Sequence, residues 1–428
     1  MINAKLKALS AVNFAPFADP INFTTQIDKN KKEYMNNTFA EGETLLNKVS
    51  FIYGANGAGK TFFCKILSEI QRLLFLSPFT LGNNSQIKQL PMFKGIDAKI
   101  QKFIFDVSYE EQPTTFSIEV IVDSIAYHYE FSIQGNRIVY ELLTKKFKRK
   151  EILIERRSPE HKDIALRSEF KSFEIHKQAV KEEALCLGIA HTLNNPLAVK
   201  IVNAINSIVA LNMTTPHMAT PDIKTSFTEE RILKYTKVLT KANPMLRALD
   251  IAVSEEDVKH LPEFSDFENR EVIMTKMTLS VNPKYAKYRD GVEEKTQSLN
   301  FFKDESLGTV KLFTALPYLY DTLEYGGVLV LDEIENGLHL SLVRDIIRLF
   351  TDSDSNPHNA QLICTTHQPL LIDADTRRDQ VWVINKDTHG KSGIIRLSEF
   401  STSRSKINLT NLLLKKAFGC NPEPFFRN

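Results

Sequence analysis

Along the first fifty residues, apolar side chains alternate with polar ones, at Leu6, Ala8, Val12 and Phe14 and again at Ile21 and Phe23. A period of two predicts short, half-buried strands. The polar residues 28–33 then read as an exposed loop. The run Val49-Ser50-Phe51-Ile52-Tyr53 is nearly all apolar and predicts a strand covered on both faces. From Thr61 to about Leu76 the spacing changes to three and four, at Phe62, Ile66, Leu67, Ile70, Leu73 and Leu74, which predicts a helix. Pro78, Gly82, Asn83 and Asn84 end it. The period of two returns over 103–107, 115–120, 127–133 and 138–143, with Gln134-Gly135-Asn136 as a hairpin turn, and predicts an antiparallel β-subdomain. Residues from about 179 to 260 read as helical, in the segments 182–193, 197–211 and 227–239. Their breaks are Asn194-Asn195-Pro196, residues 214–221 and Asn243-Pro244. A β stretch follows at 271–281. Two further apolar runs, Gly327-Val328-Leu329-Val330-Leu331 and Gln361-Leu362-Ile363-Cys364-Thr365-Thr366, predict buried parallel strands, with a helix over 340–350 between them. The fold class expected is α/β, a mixed sheet with flanking helices. The expected division is an N-terminal lobe over 1–178, a helical insertion over 179–265 and a C-terminal lobe over 266–428.

Composition narrows this picture only slightly. The chain has 428 residues, 43% hydrophobic and 25% charged, with a net charge of +2, which suits a globular protein with a sizeable core. No stretch reaches the ~18 apolar residues of a membrane span, and the first residues lack the apolar core of a signal peptide. A cytoplasmic protein without membrane contact is expected. The four cysteines, Cys64, Cys186, Cys364 and Cys420, form no C-x-x-C pair, so neither a zinc site nor a disulfide framework is indicated. The one concentrated charge run is Lys145, Lys146, Lys148, Arg149 and Lys150, followed by Arg156 and Arg157. It reads either as a solvated hairpin or as a rim that touches the phosphates of DNA or RNA.

Candidate chemistry begins where the first buried strand ends. Gly54-Ala55-Asn56-Gly57-Ala58-Gly59-Lys60-Thr61 has the spacing G-x-x-x-x-G-K-[ST] between a strand and a helix. Such a loop turns backbone N–H groups toward phosphate oxygens at the positive end of a helix. Lys60 would reach the terminal phosphates and Thr61 would give its hydroxyl to Mg²⁺. Asp332 and Glu333 emerge at the end of the 327–331 strand, where α/β sheets hold their ligands. Asp332 is the candidate for holding Mg²⁺, and Glu333 for general base toward an attacking water. His367 leaves the end of the next buried strand and is a candidate sensor of the γ-phosphate, against a plain structural reading. Ser306, before Leu307-Gly308-Thr309, is a good helix N-cap. Its hydroxyl, the Gly308 backbone and the helix N-terminus could also hold a second phosphate.

The order of these segments, closing on Glu335-Asn336-Gly337-Leu338-His339 and Cys364-Thr365-Thr366-His367-Gln368-Pro369, resembles the ABC-type ATPases, including the SMC/RecF/OLD group. More narrowly it resembles the bacterial AAA15 ATPases linked to abortive infection and anti-phage defence, also through Arg377-Arg378-Asp379-Gln380-Val381-Trp382 and Phe418-Gly419. The resemblance implies an ABC-type head that binds and hydrolyses ATP with Mg²⁺, in a head-to-tail dimer or higher homo-oligomer. Lys60, Thr61, Asp332, Glu333 and His367 of one copy would face Ser306 and Gly308 of another. Two positions depart from the family pattern, since Leu307 stands where many signatures have glycine and Glu305 where they have leucine. The resemblance also implies a sensor subunit controlling a separately encoded nuclease or toxin, because the chain carries no H-N-H cluster and no Toprim-like acidic segment. Two other readings stay open. One is a RecF/SMC-like DNA-maintenance ATPase that binds duplex DNA through 145–157. The other is a nucleotide-gated scaffold with little turnover.

Overall fold

The structure, a computed structural model, describes residues 3–28, 30, 33–80, 100–212, 258–264, 274–281, 284–372 and 375–399. They fall into two compact units. The first comprises the described residues within Met1–Ala210, Thr322–Ile334 and Leu340–Asn428, and the second those within Leu211–Asp321 and Glu335–His339.

The first unit is built on two sheets. The alternating segments form a seven-stranded antiparallel sheet from β1 (Ala4–Val12), β2 (Ile21–Thr24), β6 (Thr114–Val122), β7 (Ile125–Gln134), β8 (Arg137–Lys146), β9 (Lys150–Arg156) and β10 (Ile164–Leu166), in the order β10-β9-β8-β7-β6-β1-β2. A small hairpin, β3 (Thr38–Glu41) with β4 (Thr44–Asn47), precedes β5 (Val49–Tyr53). The second sheet has the order β11-β16-β17-β5-β18-β19, with β11 (Val209–Asn212) at the edge where this unit ends. Its central strands β16 (Val328–Asp332), β17 (Gln361–Thr366), β5 and β18 (Val381–Lys386) are parallel, and β19 (Ser392–Arg396) closes it antiparallel. Every residue of β5, β16 and β17 is buried, as their unbroken apolar runs require. The mixed α/β class and the antiparallel subdomain are therefore as expected from the sequence.

Helix α1 (Lys60–Leu76) lies in the core that joins the two sheets, burying Phe63, Ile66, Leu67, Ile70 and Leu74. Two buried polar side chains fasten the sheets directly. Gln361 exchanges hydrogen bonds with the main chain of Leu6, donating at 3.2 Å and accepting at 2.8 Å, beside an irregularity in the β1–β6 register. The Lys5 ammonium donates to the carbonyls of His358 (3.0 Å) and Asn359 (2.8 Å), and burial lowers its pKa to about 8.

Three expectations change. Residues 103–107 are not a strand. Phe103 N–H donates to the Asn13 side chain at 3.1 Å, and Asp106 accepts from Ser108 N–H at 3.0 Å to open the short turn Val107–Tyr109. Their apolar alternation leaves Ile104 77% and Val107 77% exposed. The helical segments 182–193 and 197–211 become α2 (Cys186–Thr192) and α3 (Pro196–Asn206), both in the first unit. Helix α3 stops early because the Gln71 amide takes the carbonyls of Ile205 and Ile208, each at 2.9 Å, and the chain turns into β11. Val258–Phe264, inside the stretch read as helical, is strand β12. The expected segments 214–221 and 227–239 and the breaks at Asn243-Pro244, Gly82, Asn83 and Asn84 lie outside the described residues, as do Cys420 and Phe418-Gly419.

In the second unit, β12 pairs antiparallel with β13 (Met274–Val281), which carries the expected β stretch. A hairpin of β14 (Lys284–Arg289) and β15 (Val292–Ser298) follows. The short helix α4 (Phe301–Asp304) then leads to α5 (Leu307–Tyr325), whose residues from Thr322 belong to the first unit, as does helix α6 (Leu340–Thr351). Among the described residues no helix is long and apolar enough to cross a membrane.

One buried network holds the antiparallel sheet to the helices. Glu141 on β8 accepts from the N–H groups of Cys186 (2.8 Å) and Leu187 (3.0 Å) and from the Tyr129 hydroxyl (2.9 Å). Arg156, its cross-strand partner, is buried and donates to the carbonyls of Ala184 (2.8 Å) and Ser158 (2.9 Å). Burial raises the Glu141 pKa, against the pull of the Leu187 N–H, the Arg156 charge and the Cys186 N–H. Glu141→Ala strands three buried donors and should lower the unfolding free energy by about 3 kcal/mol. The exposed Glu183→Ala should cost about 0.5 kcal/mol or less in the same denaturant titration. Because the folded-state pKa is raised, this carboxyl's contribution is fullest below its unfolded pKa and declines as pH rises through the folded value. The gap between wild type and Glu141→Ala should accordingly narrow from acid toward neutral pH.

Candidate functional site

The parallel sheet sets three strand ends side by side. Register pairs Tyr53 with Thr366 and Leu331 with Cys364, so the segments leaving β5, β16 and β17 start from one edge. Gly54, the first residue of the loop, donates its N–H to the Thr366 carbonyl at 3.3 Å. Asn56 and Gly57 are exposed at the loop's crest and Ala55 is half-buried. Ala58 N–H returns to the Ala55 carbonyl at 3.2 Å, and the Ser392 hydroxyl at the start of β19 donates to the Ala58 carbonyl at 2.7 Å. Gly59 turns the chain into α1 with φ +115°, a left-handed conformation that favours glycine. A side chain there would also press on Pro16, 3.1 Å away. Lys60 is buried and its ammonium donates to the carbonyls of Gly54 (2.9 Å) and Ala55 (3.0 Å), drawing it over its own loop.

Asp332, at the end of β16, is 1% exposed. Its Oδ1 accepts from the Thr365 hydroxyl at 2.6 Å, whereas its Oδ2 has no hydrogen-bond partner. Burial raises its pKa, opposed by the hydroxyls of Thr365 and Thr61. Glu333 follows, half-buried, with φ +53°. A non-glycine residue held there stores about 1–3 kcal/mol. Thr365 secures it twice over: its hydroxyl accepts from Glu333 N–H at 2.7 Å and its carbonyl from Ile334 N–H at 3.2 Å. His367 is exposed at the end of β17.

This edge therefore collects Gly54 to Thr61, Asp332, Glu333 and His367 within the first unit. Chemically it offers a glycine-rich loop at a helix N-terminus, one ammonium, and a buried carboxylate with the Thr61 hydroxyl beside it. That donor set fits a hydrated divalent cation next to a phosphate chain. Thr61 and Asp332 would hold the cation, and Lys60 with the loop would hold the phosphates.

Ser306 and Gly308 lie in the second unit. The Ser306 hydroxyl is 2.8 Å from that of Thr309 and accepts from Thr309 N–H at 3.2 Å, capping α5. Gly308 is buried, and a Cβ there would fall 1.9 Å from the Gly337 carbonyl oxygen. Lys311, also buried, donates to the Asn336 side chain at 3.0 Å. Gln112 turns its amide to the Ser108 carbonyl at 2.9 Å.

Sequence reasoning passed over Thr365, Ser392 and Pro16. A polar residue inside an otherwise apolar buried strand, two positions before His367, was the available signal for Thr365. Ser392 and Pro16 reach the loop only through the fold and left no local signal.

A family model described as "AAA domain, putative AbiEii toxin, Type IV TA system" matches residues 49–181 and 216–373, well over half of the chain. The chain belongs to this AAA family. Among solved structures it is similar to the SMC head domain from Thermotoga maritima, at 12% identity and a TM-score of 0.36 over 92% of this chain and 98% of that one. It is also similar to the recombination mediator protein RecF of the RecFOR pathway. The RecF structure with ATPrS gives 12% identity and a TM-score of 0.36, over 92% of this chain and 99% of that one. The RecF structure with ATP gives 13% and 0.35, over 92% and 98%. Likeness at that level is too slight to carry function. No curated protein matches the chain. Membership of the AAA family makes this a P-loop ATPase-type protein.

Thr365→Val keeps the shape of the side chain and removes the hydroxyl that serves both Asp332 and Glu333. It should lower stability by about 1–3 kcal/mol, read by denaturant unfolding, since Glu333 N–H loses its acceptor. An unchanged midpoint would mean that this bond holds nothing in place.

Proposed function

We propose that this AAA-family protein is an ATP-binding and ATP-hydrolysing switch that assembles with itself around nucleotide. The observation that carries the reading is the buried Asp332, with the Thr61 hydroxyl beside it, only one strand removed from the loop that holds Lys60. Thr61 and Asp332 would hold Mg²⁺, which would supply charge neutralisation at the phosphates. Lys60 leaves the carbonyls of Gly54 and Ala55 to bind the terminal phosphates of ATP. Glu333, one residue beyond Asp332 and fixed by Thr365, accepts the proton of the attacking water. His367, leaving the neighbouring strand, hydrogen-bonds the terminal phosphate and reports its loss.

Ser306 and Gly308 of a second copy complete the site, in a head-to-tail dimer or a higher homo-oligomer. Nucleotide then favours the closed pair because it binds that state better than the open one. The family description carries a toxin–antitoxin term, which supports a place in a system of that kind, and the resemblance in sequence extends this to a regulatory role in abortive infection. There the ATPase, of AAA15 type, restrains or releases a separately encoded nuclease or toxin.

Lys60→Ala should abolish nucleotide binding in a fluorescent-nucleotide titration, and wild-type affinity in that variant would remove the assignment. Glu333→Gln should bind ATP normally, turn over about a hundred- to ten-thousand-fold more slowly, and accumulate as an ATP-bound dimer by light scattering. A variant that stays monomeric with ATP would sink the self-assembly reading while leaving the nucleotide site intact.

A further inference from the structure

The basic run singled out in the sequence divides into two parts. Lys145 is committed to Glu151 (3.1 Å) and Glu169 (2.5 Å), Arg157 to Glu155 (2.7 Å), and Arg156 is buried. The turn between β8 and β9 is different. Lys146, Lys148, Arg149 and Lys150 are exposed there, and among the described residues none of them has an ion-pair partner. Phe147 stands in their midst, 61% exposed and without a ring contact. Three acids near it are already taken, Glu151 and Glu169 by Lys145 and Asp123 by Lys200 at 2.5 Å.

The sheet fixes where this tip lies. Ala4 at the start of β1 pairs with Val122, Val122 pairs with Ile125 across the β6–β7 turn, and Ala126 pairs with Lys146. The tip is thus at the N-terminal end of β1. The opposite end of β1 runs through Asn13 to Pro16, which lies 3.1 Å from where a Cβ on Gly59 would stand. Nine residues of strand separate the two ends, about 30 Å at the usual rise. The tip is a second surface, remote from the nucleotide loop and carried on a rigid seven-stranded platform.

We propose that the β8–β9 tip binds single-stranded nucleic acid. The four free cations track the phosphates, and the Phe147 ring stacks on an unpaired base. A hairpin of cations around one aromatic is a stacking platform with an electrostatic guide. Bases inside a duplex are already stacked on both faces, so the aromatic favours a single strand. This inference does not rest on ATP hydrolysis or on self-assembly.

The test uses the full-length protein, with a labelled oligothymidine strand, a blunt duplex and phosphatidylserine-containing vesicles as probes. The strand should bind at low salt with a log–log salt slope of about −3, the value for four phosphate contacts. Reversing the charges together (Lys146→Glu, Lys148→Glu, Arg149→Glu, Lys150→Glu) should weaken strand binding by about a hundredfold or more and flatten that slope. Phe147→Ala should weaken strand binding by about fivefold or more, with the slope unchanged and duplex binding unaffected. Thermal melting reports whether each variant is folded, and Phe147→Ala carries the test alone if charge reversal unfolds the protein. Wild-type strand affinity in folded variants overturns the proposal. So does Phe147-dependent binding to vesicles without binding to the strand, which would make the tip a membrane contact.

Discussion

Strand β17 is the constraint on which the site depends. It lies between β16 and β5, and its last two residues are threonines that face different tasks. The Thr366 carbonyl accepts from Gly54 and anchors the start of the phosphate loop. The Thr365 hydroxyl joins Asp332 to the backbone of Glu333, and its carbonyl takes Ile334 N–H. Parallel pairing alone would bring the strand ends to one edge. These four hydrogen bonds do more, because they set the loop and the acidic pair against the same short piece of chain. The left-handed Glu333 is strained where it stands, and its conformation persists because both N–H groups that follow Asp332 are already claimed.

What could be read in the sequence was whatever depends on a few consecutive residues. The loop from Gly54 to Thr61 advertises itself by glycine spacing, and the strands β5, β16 and β17 by unbroken apolar runs. The hairpins of the antiparallel sheet follow from their period of two. Residues 103–107 show the limit of that rule. They alternate as a strand would, yet Asn13, ninety positions earlier, takes the Phe103 N–H, and among the described residues no strand pairs with them. Burial is equally hidden. Arg156 and Lys150 look alike in a basic run, but one is a buried donor to main-chain carbonyls and the other is exposed. Only the fold separates the structural cations from the free ones.

The joining of the two sheets was also invisible in advance. Lys5 and Gln361 are polar residues in apolar surroundings, more than 350 positions apart in the chain. Each hydrogen-bonds main-chain groups of a distant segment. Burial of Lys5 shifts its pKa far from that of a solvated lysine, which marks how completely the ammonium is enclosed. A pattern reader sees two interrupted strands where the fold has placed its fasteners.

Gly308 and Ser306 invite a single reading as a phosphate-binding pair, and the packing of the second unit separates them. A Cβ at Gly308 would strike the Gly337 carbonyl, and Lys311 fastens the same loop through Asn336. Glycine is therefore required where the first turn of α5 meets residues 335–339, with no phosphate involved. That loop begins two residues after Glu333 in the chain, so a substitution at Gly308 disturbs it whether or not a second copy is present. Loss of activity at Gly308 would say little about assembly. Ser306 is the discriminating position. Its hydroxyl is exposed and serves only the cap of α5, a role whose removal costs about 1 kcal/mol. An effect on nucleotide-dependent assembly well beyond that magnitude has to come from a partner that the hydroxyl touches outside its own helix.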